Sequence, residues 1–96
     1  MAARILVLED DPDQSTLICD ALMVDGHECV VATSVDQAEQ VLDGGAIDLA
    51  IVDMNLPGRP GTEALAYIRS RPVLFLVKPL NLKELRVLVQ RCLLRQ

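Results

Sequence analysis

The sequence predicts an α/β domain built on an open parallel sheet, and three observations lead to this class. Four short apolar runs show no alternation of polar and apolar residues, which is typical of strands buried on both faces. Helical patterns lie between these runs and after the last one. Strict alternation of strand and helix specifies a parallel sheet with helices on both faces. The predicted strands cover residues 4–8, 29–33, 47–52 and 73–77.

Capping and stop signals bound the four predicted helices. Ser34, with Gln37 three residues later, has the pattern of a capping box, and Thr62 and Asn81 are expected to cap the third and fourth helices. The first helix follows Asp13, and its apolar face is expected to look toward the sheet. The apolar stripes of the first and last helices are Leu17, Ile18, Ala21 and Leu22, and Leu82, Leu85, Val89 and Cys92.

Length, composition and charge narrow the possible functions. A chain of 96 residues, of which 51% are hydrophobic, suits one compact domain over residues 1–96. The net charge of −5 argues against direct nucleic-acid binding, which needs a basic face. No apolar run is long enough for a membrane span or a signal peptide. Cys19, Cys29 and Cys92 lack metal-site spacing and fit small buried residues in a reducing cytosol, so we expect a cytoplasmic protein.

Acidic residues follow two of the predicted strands directly. Glu9 and Asp10 end the first strand in "RILVLEDD", and Asp53 ends the third in "AIVDMNLPG". Ligand sites of open α/β sheets lie at the carboxyl ends of the strands, and strands 1 and 3 are expected to be neighbours. Three acids at one edge are tolerated when a divalent cation lies among them. Oxygen ligands with this charge select Mg²⁺ or a similar hard ion.

One basic residue completes the predicted site. Lys78 ends the last strand in "FLVKPL", and its ammonium suits an incoming phosphoryl oxygen. Carboxylates, Mg²⁺ and a lysine together indicate phosphoryl transfer to a carboxylate, with Asp53 as the nucleophile. Each residue alone has a plainer interpretation as a helix cap, strand end or loop residue. Their joint occurrence at three strand ends favours the phosphoryl site.

These motifs, in this order, resemble the response-regulator receiver domains of two-component signalling. The matching segments are "ILVLEDD", "DLAIVDMNLPGRPG" and "FLVKPL". The resemblance implies a flavodoxin-like doubly wound parallel sheet and phosphorylation of Asp53 by a histidine kinase or phosphotransfer partner. It implies no enzymatic activity beyond self-phosphorylation and self-dephosphorylation at that residue. It also implies Mg²⁺ held by the Asp10 and Asp53 carboxylates and the Asn55 backbone carbonyl, with Glu9 contributing through water, and Phe75 matches the family's switch aromatic.

The chain departs from the family between its last two motifs. Only 24 residues separate Asp53 from Lys78, roughly half the family's number, because the family's five-stranded sheet has one further βα unit. We therefore expect four strands per chain. The Thr or Ser that the family places after its fourth strand has no counterpart, since Ser70 lies on the wrong side of the strand. Without that hydroxyl the switch aromatic is interpreted as a core residue, and Asp11, after the family's acidic pair, as a helix cap.

The missing unit is expected to expose apolar surface. The run from Val73 to Val77 is uncharged and prone to β-pairing, so we expect a homodimer through this strand and the helix from Asn81 to Arg95. Exchange of these elements between chains is a further possible form. Two functions stay open: a phosphoacceptor receiver that regulates by protein contact, with no output domain after Gln96, and a degenerate receiver that serves as a phosphorylation-independent interaction or dimerisation module.

Overall fold

Strands and helices alternate along the chain in the predicted order. The computed structural model describes residues 2–78 and 81–94. Pro79, in the Lys-Pro motif, and Arg95, at the predicted end of the last helix, lie outside the described residues. The elements are β1 (Arg4–Leu8), α1 (Pro12–Val24), β2 (Glu28–Ala32), α2 (Val35–Asp43), β3 (Leu49–Val52), α3 (Gly61–Ile68), β4 (Leu74–Val77) and α4 (Leu82–Leu94).

All pairings in the sheet are parallel, and the strand order is β2-β1-β3-β4. The prediction of a doubly wound, four-stranded parallel sheet is confirmed. The chain runs outward from β1 to β2 and then crosses back to β3. This reversal of strand order opens a crevice at the carboxyl ends of β1 and β3, which is where open α/β sheets bind their ligands.

Helices cover both faces of the sheet and enclose two cores. β1 and β3 are fully buried between them from Ile5 onward, which explains why their sequences show no polar alternation. None of the described helices has the length and apolar character needed to cross a membrane. On the side of α1 and α4 the helices contribute Ile18, Leu22, Leu85, Val89 and Leu93, and on the side of α2 and α3 they contribute Val35, Ala38, Leu42, Ala64, Leu65 and Ile68.

Three of the predicted helix caps are confirmed. The Asp13 N–H donates to the Asp11 carboxylate at 2.9 Å, the Gln37 N–H to the Ser34 hydroxyl at 3.2 Å, and the Glu84 N–H to the Asn81 side chain at 2.8 Å. Each bond satisfies a backbone donor that has no partner within the first helical turn.

Two details of the helix predictions are wrong. Thr62 does not cap α3, because the helix begins one residue earlier at Gly61, after Pro60 at the N-cap position, and Thr62 already lies in the first turn. Leu17 is 56% exposed. The sheet-facing positions of α1 are instead Ser15, Ile18 and Leu22, which turns Leu17 outward. Predicted strand starts also differ by one or two residues, since β2 begins at Glu28 and β3 at Leu49.

β4 is an edge strand with exposed apolar side chains. Phe75 is 38% exposed, so its assignment to the core is wrong. It pairs with Ala50 and therefore lies on the sheet face that α2 and α3 cover. Within the described residues those two helices do not reach far enough to enclose it. The predicted exposure of apolar surface at this strand is confirmed.

The three cysteines are free thiols and only half-buried, rather than fully buried as expected. Cys19 and Cys29 lie close together, with the Cys29 thiol 4.0 Å from the Cys19 carbonyl. Burial, followed by the proximity of Cys19, raises the pKa of Cys29 to about 12. A thiol with so high a pKa is a poor nucleophile, which fits a packing role.

Gly61 allows α3 to begin in contact with the end of β3. A Cβ at this position would lie 2.4 Å from the Asp53 carbonyl oxygen and 2.7 Å from the Met54 Cα. Both are backbone atoms, so a side chain cannot be admitted without moving the loop. Gly44, at the C-cap of α2, has a helical φ of −69° and room for a Cβ, with its nearest neighbour at 3.4 Å.

We expect Gly61→Ala to lower the free energy of unfolding by about 3 kcal/mol, because the added methyl group overpacks the junction. The matched control Gly44→Ala should raise it by about 0.5 kcal/mol, since alanine restricts the unfolded chain without strain in the folded one. Urea unfolding of both variants measures the difference. Equal stabilities would contradict the close approach described here.

Candidate functional site

Backbone hydrogen bonds hold the predicted site residues side by side at the ends of the strands. The N–H groups of Glu9, Asp53 and Lys78 donate to the last carbonyls of β2, β1 and β3, at 2.9, 3.1 and 2.9 Å. Each bond continues the parallel ladder one residue beyond a strand. Their Cα atoms are therefore fixed by the sheet itself, although the residues lie far apart in sequence.

Three acidic side chains converge at this edge. Glu9, Asp10 and Asp53 each offer a carboxylate oxygen, and these oxygens all lie within 4.8 Å of one another. Glu9 is 3% exposed, whereas Asp53 is half-buried and Asp10 is exposed. Carboxylates this close repel one another unless a positive charge compensates them. The arrangement is suited to a hard divalent cation that takes several oxygen ligands.

The Lys78 ammonium supplies one compensating charge. It donates a hydrogen bond to Glu9 Oε1, and its side chain is only 15% exposed. Burial alone would raise the pKa of Glu9, but the Lys78 ammonium and the Asp11 N–H, which donates to Glu9 Oε2 at 3.1 Å, together hold that pKa below its ordinary value. Glu9 is therefore ionised at neutral pH. The sequence placed Lys78 at the site but did not predict Glu9 as its partner.

Asn55 lies in the turn that follows Asp53. Its backbone N–H donates to Asp53 Oδ1 at 2.9 Å, which fixes the orientation of the carboxylate. The Asn55 residue is exposed. The turn thus brings the Asn55 backbone next to the acidic cluster, so all five residues predicted for the site belong to one neighbourhood.

Arg59 is a residue of this region whose role the sequence did not indicate. It lies in the loop between β3 and α3, and its guanidinium pairs with Asp36 and Glu39 of α2 and with Glu63 of α3. The bond to Glu39 is 2.7 Å long. These pairs tie the loop that carries Asn55 to two helices. Only the four-residue spacing of Arg59 and Glu63 was visible in the sequence, because the α2 partners lie 20 or more residues away.

The carboxyl end of β4 carries a lysine and no hydroxyl. Lys78 follows the strand directly and is hydrogen-bonded to β3. Ser70 lies before the strand, at its opposite end, and donates to the Tyr67 carbonyl at 2.9 Å. The expectation that Ser70 is on the wrong side of the strand is confirmed.

Comparison with known proteins identifies the family. Residues 5–78 match the family model of the response regulator receiver domain. The chain belongs to this family. The match ends at Lys78 and includes every residue of the acidic cluster.

Two curated relatives support the assignment. Response regulator protein FleR of Pseudomonas aeruginosa is 41% identical over 71 residues, which cover 74% of this chain and 15% of FleR. Transcriptional regulatory protein BasR of Escherichia coli is 32% identical over 122 residues, covering 97% of this chain and 53% of BasR. The chain thus spans about half the length of BasR and 15% of the length of FleR. The BasR alignment is longer than the chain, so BasR has residues that this receiver lacks.

A solved receiver gives the same fold. Response regulator TrrA of Thermotoga maritima, in complex with Mg(2+)-BeF, superposes with a TM-score of 0.81 at 26% identity, covering 94% of this chain and 98% of TrrA. TrrA has also been solved in complex with histidine kinase ThkA, with 95% of this chain covered.

We expect Lys78→Met to lower the free energy of unfolding by about 3 kcal/mol in metal-free buffer, because it leaves the buried Glu9 carboxylate without its cation. The double variant Glu9→Gln with Lys78→Met should recover most of this loss, since both charges are then absent. Lys83→Met, on the exposed side of α4, is the control and should change stability by less than about 0.5 kcal/mol. Equal effects of the two lysine variants, in urea unfolding with a chelator, would contradict the ion pair's role.

Proposed function

We propose that this receiver domain accepts a phosphoryl group on Asp53 from a histidine kinase or phosphotransfer protein and regulates by protein contact. The observation that carries the proposal is the convergence of Glu9, Asp10 and Asp53 within 4.8 Å, next to the Lys78 ammonium. Family membership and the kinase complex of the similar TrrA support it. Cytoplasmic location is part of the proposal, since the free thiols suit a reducing compartment.

We propose Mg²⁺ as the cofactor of this site. The donor set fits, because it consists of carboxylate oxygens with enough negative charge to bind a hard cation. Asp10, Asp53 and the Asn55 backbone carbonyl would hold the ion, with Glu9 contributing through water. When bound, Mg²⁺ supplies positive charge that neutralises the phosphoryl oxygens. The Mg(2+)-BeF complex of TrrA supports this choice.

In the proposed transfer an Asp53 carboxylate oxygen forms a bond to phosphorus as the donor's N–P bond breaks. The donor nitrogen keeps the electron pair of that bond, and the imidazole leaves as a neutral ring because its other nitrogen carries a proton. Lys78 stabilises the transferred group by passing from Glu9 to a phosphoryl oxygen. The only reactions that we propose for the domain itself take place at Asp53. They are the uptake of a phosphoryl group from a donor and the later hydrolysis of the phosphorylated residue.

A second candidate is a degenerate receiver that acts as a phosphorylation-independent interaction or dimerisation module. One observation favours it. Lys78, rather than a residue with a hydroxyl group, follows β4, the strand next to β3. The hydroxyl that would link phosphorylation to the switch aromatic is therefore absent at this position. Phe75 is also already exposed.

Incubation with acetyl phosphate and Mg²⁺, followed by intact mass measurement, tests the first candidate. We expect a gain of one phosphoryl group that is lost in Asp53→Asn and on chelation of the metal. The matched control is Asp20→Asn, which makes the same replacement at an exposed residue of α1. This variant should react like the parent chain. No mass gain at any Mg²⁺ concentration would contradict the phosphoacceptor role and favour the second candidate.

We also propose that two copies of the chain associate through the strand between Val73 and Val77 and the C-terminal helix. The exposed apolar side chains of β4 support this, as does its free edge. Light scattering should show a dimer whose fraction rises with concentration over the micromolar range. A monomer across that range would contradict the proposal, whatever the result at Asp53.

A further inference from the structure

The loop between β3 and α3, residues 54–60, carries part of the proposed metal site but has few contacts of its own. Within the part of the chain that the structure describes, residues 54–59 take part in no hydrogen bond between backbone groups. The Asn55 N–H donates to the Asp53 carboxylate, and among the loop side chains only Leu56 is buried. The position of the Asn55 carbonyl therefore depends on the side chains that anchor this loop.

Arg59 is the charged anchor of the loop. Its guanidinium donates two hydrogen bonds to Glu39, at 2.7 and 3.1 Å. It also donates to Asp36 and, at 3.2 Å, to Glu63. Two bonds to one carboxylate fix the orientation of the guanidinium as well as its position, and the Glu39 side chain is only 23% exposed. Arg59 thus joins the loop to the amino-terminal halves of α2 and α3.

A second arginine joins the same region at the opposite end of the fold. Arg71, which follows α3, pairs at 2.6 Å with Asp43, the last residue of α2, and its guanidinium lies 3.9 Å from the centre of the Tyr67 ring. Arg71 precedes β4, so it lies at the amino edge of the sheet, whereas the acidic cluster lies at the carboxyl edge. The two arginines make similar ion pairs, but only Arg59 belongs to the loop that carries Asn55.

We propose that Arg59 is a positioning residue for the Mg²⁺ site, because it ties the β3–α3 loop to α2 and α3 and so holds the Asn55 carbonyl in place for the ion. The inference rests on the proposed cofactor and gives a role to a side chain that is not itself a ligand. The charge of Arg59 acts in the opposite direction, since a positive charge in the domain repels a cation. Loss of Arg59 raises the affinity for Mg²⁺ if charge alone matters and lowers it if positioning matters.

Calorimetric titration of Arg59→Gln with Mg²⁺ tests this role. We expect the dissociation constant to rise about tenfold, which is typical when a contact that orients a metal ligand is lost. Arg59→Lys keeps the charge but cannot form the paired bonds, so its dissociation constant should lie between those of the parent and Arg59→Gln. The matched control Arg71→Gln removes the same charge far from the site and should stay within about twofold of the parent value.

The choice of cation separates positioning from a general loss of structure. Mg²⁺ requires a nearly ideal octahedral set of ligands, whereas Ca²⁺ accepts irregular sets at longer distances. A displaced Asn55 carbonyl should therefore weaken Mg²⁺ binding more than Ca²⁺ binding in Arg59→Gln, and the ratio of the two dissociation constants should not change in Arg71→Gln. Adding Glu39→Gln to Arg59→Gln should have little further effect, because both changes remove the same ion pair.

Urea unfolding with a chelator supplies the stability reference, and both arginine variants should lose similar, small amounts of stability because their ion pairs are partly exposed. A parent chain that binds Mg²⁺, with equal or tighter binding by Arg59→Gln, would overturn the role of Arg59 and leave the proposed cofactor intact. Equal weakening by both arginine variants, in step with lost stability, would also overturn it. A parent chain that binds no Mg²⁺ would overturn the cofactor and this inference together.

Discussion

The parallel ladder that continues one residue past β1, β3 and β4 is the constraint on which the site depends. It places Glu9, Asp53 and Lys78 in adjacent positions through backbone bonds of 2.9 to 3.1 Å, before any side-chain contact forms. The ion pair between Lys78 and Glu9 then offsets part of the repulsion within the acidic cluster. Because both groups are largely removed from water, each depends on the other to stay charged at low cost. The backbone hydrogen bonds that form the sheet thus also bring together the opposite charges that the site needs.

The strand that carries the lysine differs from the one that the family resemblance implies. In this receiver Lys78 follows the strand that pairs directly with β3, whereas the family resemblance puts the lysine on a fifth strand and a hydroxyl on the fourth. Lys78 therefore lies where the family has its hydroxyl residue, and it still supplies the ammonium group of the site. On the same strand Phe75 is 38% exposed at the sheet edge.

The elements of the fold and the members of the cluster were predictable because strand ends are marked in the sequence. Glu9, Asp53 and Lys78 each interrupt an apolar run, and parallel topology brings such interruptions together. The partners of the charged groups were not predictable, since Lys78 and Glu9 are 69 residues apart and Arg59 reaches acids on another helix. Phe75 was misjudged because burial of an edge residue depends on what lies beyond the edge. Leu17 was misjudged because an apolar stripe shows which side of a helix is apolar, not how wide a strip the sheet covers.

The two edges of the sheet differ in a way that bears on how copies can join. β4 has only four residues, Pro72 lies two residues before it and Lys78 follows it, and these features limit pairing with long foreign strands. At the other edge β2 begins with Glu28, whose carboxylate pairs with Arg4 at 3.3 Å. Joining β4 of one copy to β2 of the next would leave a free edge at each end, and such contacts propagate. If β4 of one copy pairs with β4 of a second copy, the apolar edges of both copies are covered. Only the charged β2 edges then remain unpaired. Of the possible forms of the proposed self-association, this distribution of charge therefore favours an isologous dimer.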